Sequence, residues 1–224
     1  MDDAPALRPR TPLPLPARGG VVRVRCGPFE ALLEPVRGGF VFVWSDGRQA
    51  QRLHLGLCVG GQLHLELRSP HGRVNVTPRE PVVVAPGARV RGYLVVPLVP
   101  TLVWRGADGV EAPLHAFAPD VLAAEWHAES GHGFAVMSPW CARFPAHASN
   151  QLQAVLPVRV RNDRRSPHEV AAVPLAADAA LVACRGGLVF AVADVVVDGD
   201  RLAPNVRERR APSAKPASLL ELPT

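Results

Sequence analysis

The residues best placed for chemistry stand in LHLGLCVGGQLHLEL, residues 53–67. Leu53, Leu55, Leu57 and Val59 alternate with polar or small residues, as do Leu63, Leu65 and Leu67, the period-2 pattern of strands with one buried face. For both runs to share that face, a three-residue loop Gly60-Gly61-Gln62 with a glycine bulge must pair Val59 with Leu63. On the opposite face this register sets Cys58 across from His64, Gly56 across from Glu66, and His54 across from Arg68. A thiol beside an imidazole is either an activated nucleophile or part of a metal site. Cys58 and His64 are therefore the candidates for catalysis, and His54, Cys58 and His64 those for a metal. The plainer alternative is the polar face of a hairpin, because no pattern in the chain supplies the remaining zinc ligands.

Elsewhere the signals for chemistry are weaker. Cys26, Cys141 and Cys184 form no CxxC pair and read as small apolar residues with free thiols. His127 and His132 stand five apart, which on a helix turns them about 140° from each other, so with Glu129 they read as a solvated loop. There is no GxSxG elbow, GxxxxGK[ST] loop, GxGxxG after a strand, or HExxH, and nothing calls for a cofactor. Trp104, Trp126 and Trp140 read as core anchors, with the wall of a ligand cleft as the alternative.

The elements that must position these residues are strands. Short runs rich in Val, Leu and Phe recur between Gly, Pro, Asp and Asn: Val21–Arg25, Phe40–Trp44, Leu53–Val59, Leu63–Leu67, Val82–Val84, Val90–Val96, Leu102–Trp104, Phe134–Ser138, Val158–Arg161, Val170–Val173, Leu181–Cys184 and Leu188–Val197. That spacing predicts an all-β fold, an antiparallel β-sandwich, Ig-like or related. Residues 20–202 hold 15 of the 24 prolines, too many for long helices. One short helix is expected near 120–130, where Asp120 is a suitable N-cap and Gly131 a stop. In LPVRVRNDRRSPHEV, residues 156–170, Val158 and Val160 point inward and Arg159 and Arg161 outward, while Asn162-Asp163 and Ser166-Pro167 supply turn chemistry. This arginine run is a connection between strands.

Length and charge bound the rest. The chain has 224 residues, 48% of them hydrophobic, enough for one domain or two halves without disulfides. The net charge of +5 lies wholly outside residues 26–202, where 16 arginines meet 16 acidic residues. A phosphate-binding core is thereby disfavoured, and nucleic acid is expected only, and weakly, through the basic tails. Residues 1–19, with five prolines in the first 16, read as a flexible leader, and 203–224 as a proline- and arginine-rich tail. The 171–197 stretch is broken by Pro174, Asp178, Arg185 and Asp194, so no membrane span is expected. The opening MDDAPALRPR lacks the pattern of a secretory signal, which points to the cytoplasm.

Three stretches taken in order, TPREPVVVAPGARVRGYLVVPLVPTLVW, GHGFAVMSPWCARF and LPVRVRNDRRSPHEVAAVPLAADAALVACRGGLVFAVADVVV, carry a resemblance. The chain resembles the prokaryotic domain-of-unknown-function family 432 over most of residues 21–200. The resemblance implies an all-β fold and a stand-alone cytoplasmic protein, and it names no catalytic residue. The expected function is accordingly a non-catalytic binding or interaction domain with a protein partner. A small metal- or thiol-dependent enzyme using Cys58 and His64, and weak nucleic-acid binding through the tails, are the alternatives.

Overall fold

The computed structural model describes residues 9–16, 20–26, 29–45, 50–56, 61–70, 74–117, 134–145, 152–175, 179–184, 187–197 and 205–208. In chain order the strands begin with β1 Arg10–Leu13, β2 Val22–Cys26, β3 Phe29–Val36, β4 Gly39–Ser45, β5 Ala50–Leu55, β6 Gln62–Arg68, β7 Val74–Pro78, β8 Val83–Val84, β9 Arg89–Pro97 and β10 Val99–Arg105. They continue with β11 Glu111–Ala116, β12 Phe134–Ser138, β13 Gln153–Asn162, β14 His168–Glu169, β15 Val173–Leu175, β16 Leu181–Cys184, β17 Gly187–Phe190, β18 Ala193–Val197 and β19 Asn205–Glu208. Among the described residues there is no helix, and so none long and apolar enough to cross a membrane. The helix expected near 120–130 lies outside these residues.

The chain forms two compact units, one of residues 1–68, 99–118 and 149–152, the other of 69–98, 119–148 and 153–224. The first contains two four-stranded antiparallel sheets, β1-β6-β10-β11 and the meander β2-β3-β4-β5. Leu63, Leu65, Leu67 and Leu102 bury one face of the first sheet, and Leu33, Phe42 and Trp44 are buried in the second. Phe117, just past β11, packs its ring 5.5 Å from Phe42 and 5.4 Å from Trp44, and Phe29 stacks on Trp44 at 4.9 Å. Aromatic pairs at these separations add to their simple burial.

The second unit departs from a purely antiparallel expectation. β12 runs parallel to β7, and β17 and β18 both run parallel to β13. The reason is connection length: residues 163–186 and 79–133 separate these partners, ample for the crossover that a parallel pair requires. β17 and β18 form one interrupted strand along β13, for three steps of β13 from Val155 to Val158 face four from Val189 to Ala193, a bulge. Pro157 sits at that gap, the place in a central strand where a missing N–H is tolerated. On its other side β13 pairs with β9 over nine residues, so it is buried along both faces from Ala154 to Val158.

The outer edge of β9 is also closed. The Val95 N–H donates to Ser138 Oγ at 2.7 Å, and Tyr93 exchanges backbone bonds of 2.9 and 3.0 Å with Cys141. Between them Trp140 lies on Gly92, where an added Cβ would come within 2.2 Å of the indole. The arginine-rich run behaves as the sequence suggests. Val158 and Val160 are buried, Arg161 is exposed in an ion pair with Asp163 at 2.6 Å, and a connection follows. Asn162 holds that connection: its Nδ2 donates to the Val84 and Ser166 carbonyls at 2.9 and 2.8 Å, and its Oδ1 accepts from the Arg164 N–H at 3.0 Å.

Because Asn162 is fully buried and satisfies three backbone groups, Asn162→Ala is expected to lower stability by about 2–3 kcal/mol. Asp163→Ala, which removes an exposed ion pair, should cost less than about 1 kcal/mol. Urea unfolding of the two variants measures the difference, and equal effects would refute the assignment.

Candidate functional site

The hairpin expected to set Cys58 opposite His64 does not form. β5 pairs with β4, placing His54 opposite Val41 and Leu53 opposite Phe42. β6 pairs instead with β1 and β10. His54 is therefore exposed on one sheet while His64 belongs to another, and His54 does not face Arg68. Cys58 lies outside the described residues. Period-2 patterning correctly assigned Leu63, Leu65 and Leu67 to a buried face, but it could not say which strand each run would choose.

The structure builds a different constellation around His64. Cross-strand partners share a face, so Pro12 and Val103 flank His64 on its two sides, Arg10 and Thr101 flank Glu66, and Gln62 and Glu111 flank Arg105. A chain of ion pairs runs over that face. Arg10 meets Glu66 at 3.3 Å and Glu111 at 2.8 Å; Arg68 closes on Glu66 with contacts of 2.9 and 2.5 Å; Arg105 stands 4.0 Å from Glu111. Arg10 thus ties β1 to β6 and to β11, whose Glu111 lies 101 positions away. Gly61, just before β6, lies beneath Trp104, whose indole would come within 1.9 Å of an added Cβ.

His64 itself is only 8% exposed, and neither ring nitrogen has a hydrogen-bond partner. Burial, then the Arg10 guanidinium, hold its pKa below the usual 6.5; Glu66 and Glu111 pull the other way, and Arg105 adds to the lowering. The ring is neutral at pH 7. The hydrogen bond from Arg10 is the main cause that lowers the Glu111 carboxyl below its ordinary 4.5. The arrangement can hold a neutral base beside two carboxylates already engaged by guanidinium groups. Among the described residues no three His, Cys, Asp or Glu come together to hold a metal.

No family model, curated protein or solved structure matches this chain. The resemblance to family 432 rests on its three sequence stretches alone.

The remaining candidates disperse. His115 makes an edge contact with Phe117 at 4.7 Å, His168 lies in β14, and Cys141 is a half-buried free thiol. His71, His127, His132, His147 and Trp126 lie outside the described residues. Trp104 and Trp140 each cover a glycine and are half-buried. Arg10 and Glu111 give no signal in the sequence, because Arg10 stands in the proline-rich leader and no local spacing joins the two.

A buried imidazole without partners costs stability, so His64→Leu should leave the protein unchanged or stabilise it by up to about 2 kcal/mol at pH 7. Glu66→Gln, which weakens contacts from Arg10 and Arg68, should destabilise by about 1–2 kcal/mol. Guanidinium unfolding at pH 7 reads both, and a large loss in His64→Leu would show that the ring makes bonds absent from this arrangement.

Proposed function

We propose that the chain is a cytoplasmic, non-catalytic binding protein, its first unit a β-sandwich that takes up an extended segment of a protein partner at a sheet edge. One observation carries this reading, the edge strand β5. Among the described strands it pairs with β4 alone, and its six residues contain neither proline nor bulge. Proline interrupts three other edges, Pro12 in β1, Pro174 in β15 and Pro113 in β11 beside a register shift that skips Leu114, while β2, at the far edge of the same sheet as β5, has Arg23 and Arg25 exposed. An open row of backbone groups is the surface that strand addition uses, with alternate side chains supplying selectivity. Here those side chains are Gln51, Arg52 and His54, all exposed, and Leu53 and Leu55, both half-buried.

The Phe117 contacts with Phe42 and Trp44 support the sandwich arrangement of the first unit, because they join the buried faces of its two sheets. The thiol or metal reading has lost the register that placed Cys58 by His64. Of the basic tails, residues 1–19 and 203–224, only 9–16 and 205–208 are among the described residues, and they carry β1 and β19.

Extended peptides selected from a random library against the full-length protein are expected to slow amide exchange across residues 50–55. Selected peptides that bind while leaving 50–55 unprotected would overturn the proposal.

A further inference from the structure

We propose that β1 is an acid-released strap: a proton taken up by the buried imidazole of His64 loosens the Arg10–Leu13 ladder from β6 and opens that edge of the sheet. Neither nitrogen has an acceptor, Pro12 and Val103 close the ring's two sides, and the residue is 8% exposed. A proton arriving from solvent on either nitrogen therefore creates a buried cation with no hydrogen bond. The charged groups facing it are Arg10 on β1, Glu66 on its own strand, Arg105 on β10 and Glu111 on β11, with Arg68 beyond, bound to Glu66. Both carboxylates are already committed to guanidinium groups.

Of the three neighbouring strands, β1 is the one whose departure relieves the most. It supplies both the apolar wall, Pro12, and the like charge that opposes protonation most, Arg10. It is also an edge strand with four paired residues, whereas β10 is locked between β6 and β11. Once Arg10 leaves, Glu66, still held by Arg68, loses one of its two guanidinium partners and stands on the same face of β6 as the imidazolium. At neutral pH the burial of Leu13 and the Arg10 ion pairs keep the strap closed.

The sign follows from linkage. A histidine whose folded pKa is lowered contributes nothing unfavourable well above 6.5, and the closed state weakens as pH falls below 6.5 toward the folded value. Glu111, lowered from 4.5, favours closure above that value and is lost only as pH falls through its own lower pKa. The span between 6.5 and 4.5 therefore belongs to His64.

The test uses the Leu67 amide, which donates to the Pro9 carbonyl at 2.8 Å and so reports contact between β6 and the chain entering β1. Hydrogen exchange of the full-length protein, corrected for intrinsic rates, should show its opening constant rising by up to about 30-fold from pH 7.5 to 5.0. That opening should be insensitive to dilute denaturant, and His64→Gln should flatten its pH dependence. No rise in the native chain, an undiminished rise in His64→Gln, or an opening that matches the Leu33 amide of β3 in size and denaturant dependence would each overturn the proposal. If His64→Gln fails to fold, titration of the native imidazole by NMR decides. A midpoint below 6.5 that coincides with the opening supports the strap, and one at or above 6.5 refutes it.

Discussion

A strand buried on both faces must find backbone partners along both edges, since no water reaches it to satisfy a stray N–H or carbonyl. β10 and β13 are under that constraint over five residues each, and the sheets are arranged to meet it. β10 lies between β6 and β11; β13 lies between β9 and the interrupted pair β17 and β18. Where β13 carries a proline and cannot donate, the neighbouring ladder breaks and resumes one residue out of step. For the same reason β9 does not present an open edge: Ser138 and Cys141 take up the outward groups of Val95 and Tyr93, and Trp140 covers Gly92 beside them.

The burial of β10 on both sides also explains the character of the His64 face. Val99, Thr101 and Val103 are buried there, though their immediate neighbours include Glu66, Arg68, Arg105 and Glu111. Long arginine stems can cover apolar surface while their heads stay in ion pairs at the rim. His64, with its short side chain, cannot reach that rim. Its nitrogens remain below the charged layer, and the ring carries a desolvation cost that its neighbours avoid. A group left in that state is unusual among buried polar atoms, most of which find a partner.

Much of the strand content is legible in the amino-acid pattern. The runs at 40–44, 63–67, 90–96, 134–138 and 181–184 fall inside observed strands, because alternating β-branched and aromatic residues between turn formers have few other uses. The strands that the pattern does not announce are polar or carry proline. β3 reads FEALLEPV, β11 reads EAPLHA, and β1 sits in a proline-rich leader. Each is held in place by its partner strand more than by its own propensity. The expected single strand at 188–197 is split at Ala191-Val192, where the bulge against β13 falls.

By itself, then, the sequence determined the strand-dominated class, the inward leucines of β6, the turn after Arg161 and the balance of charge over residues 26–202. These depend on neighbours within a few positions, where side-chain alternation and turn chemistry act. Only the tertiary structure decided that 50–55 and 62–68 join different sheets, that two long connections return in parallel, and that Arg10 reaches Glu111 across 101 residues. Strand pairing is a choice among many edges of similar local pattern. It is settled by which faces bury together, and no window along the chain contains that information.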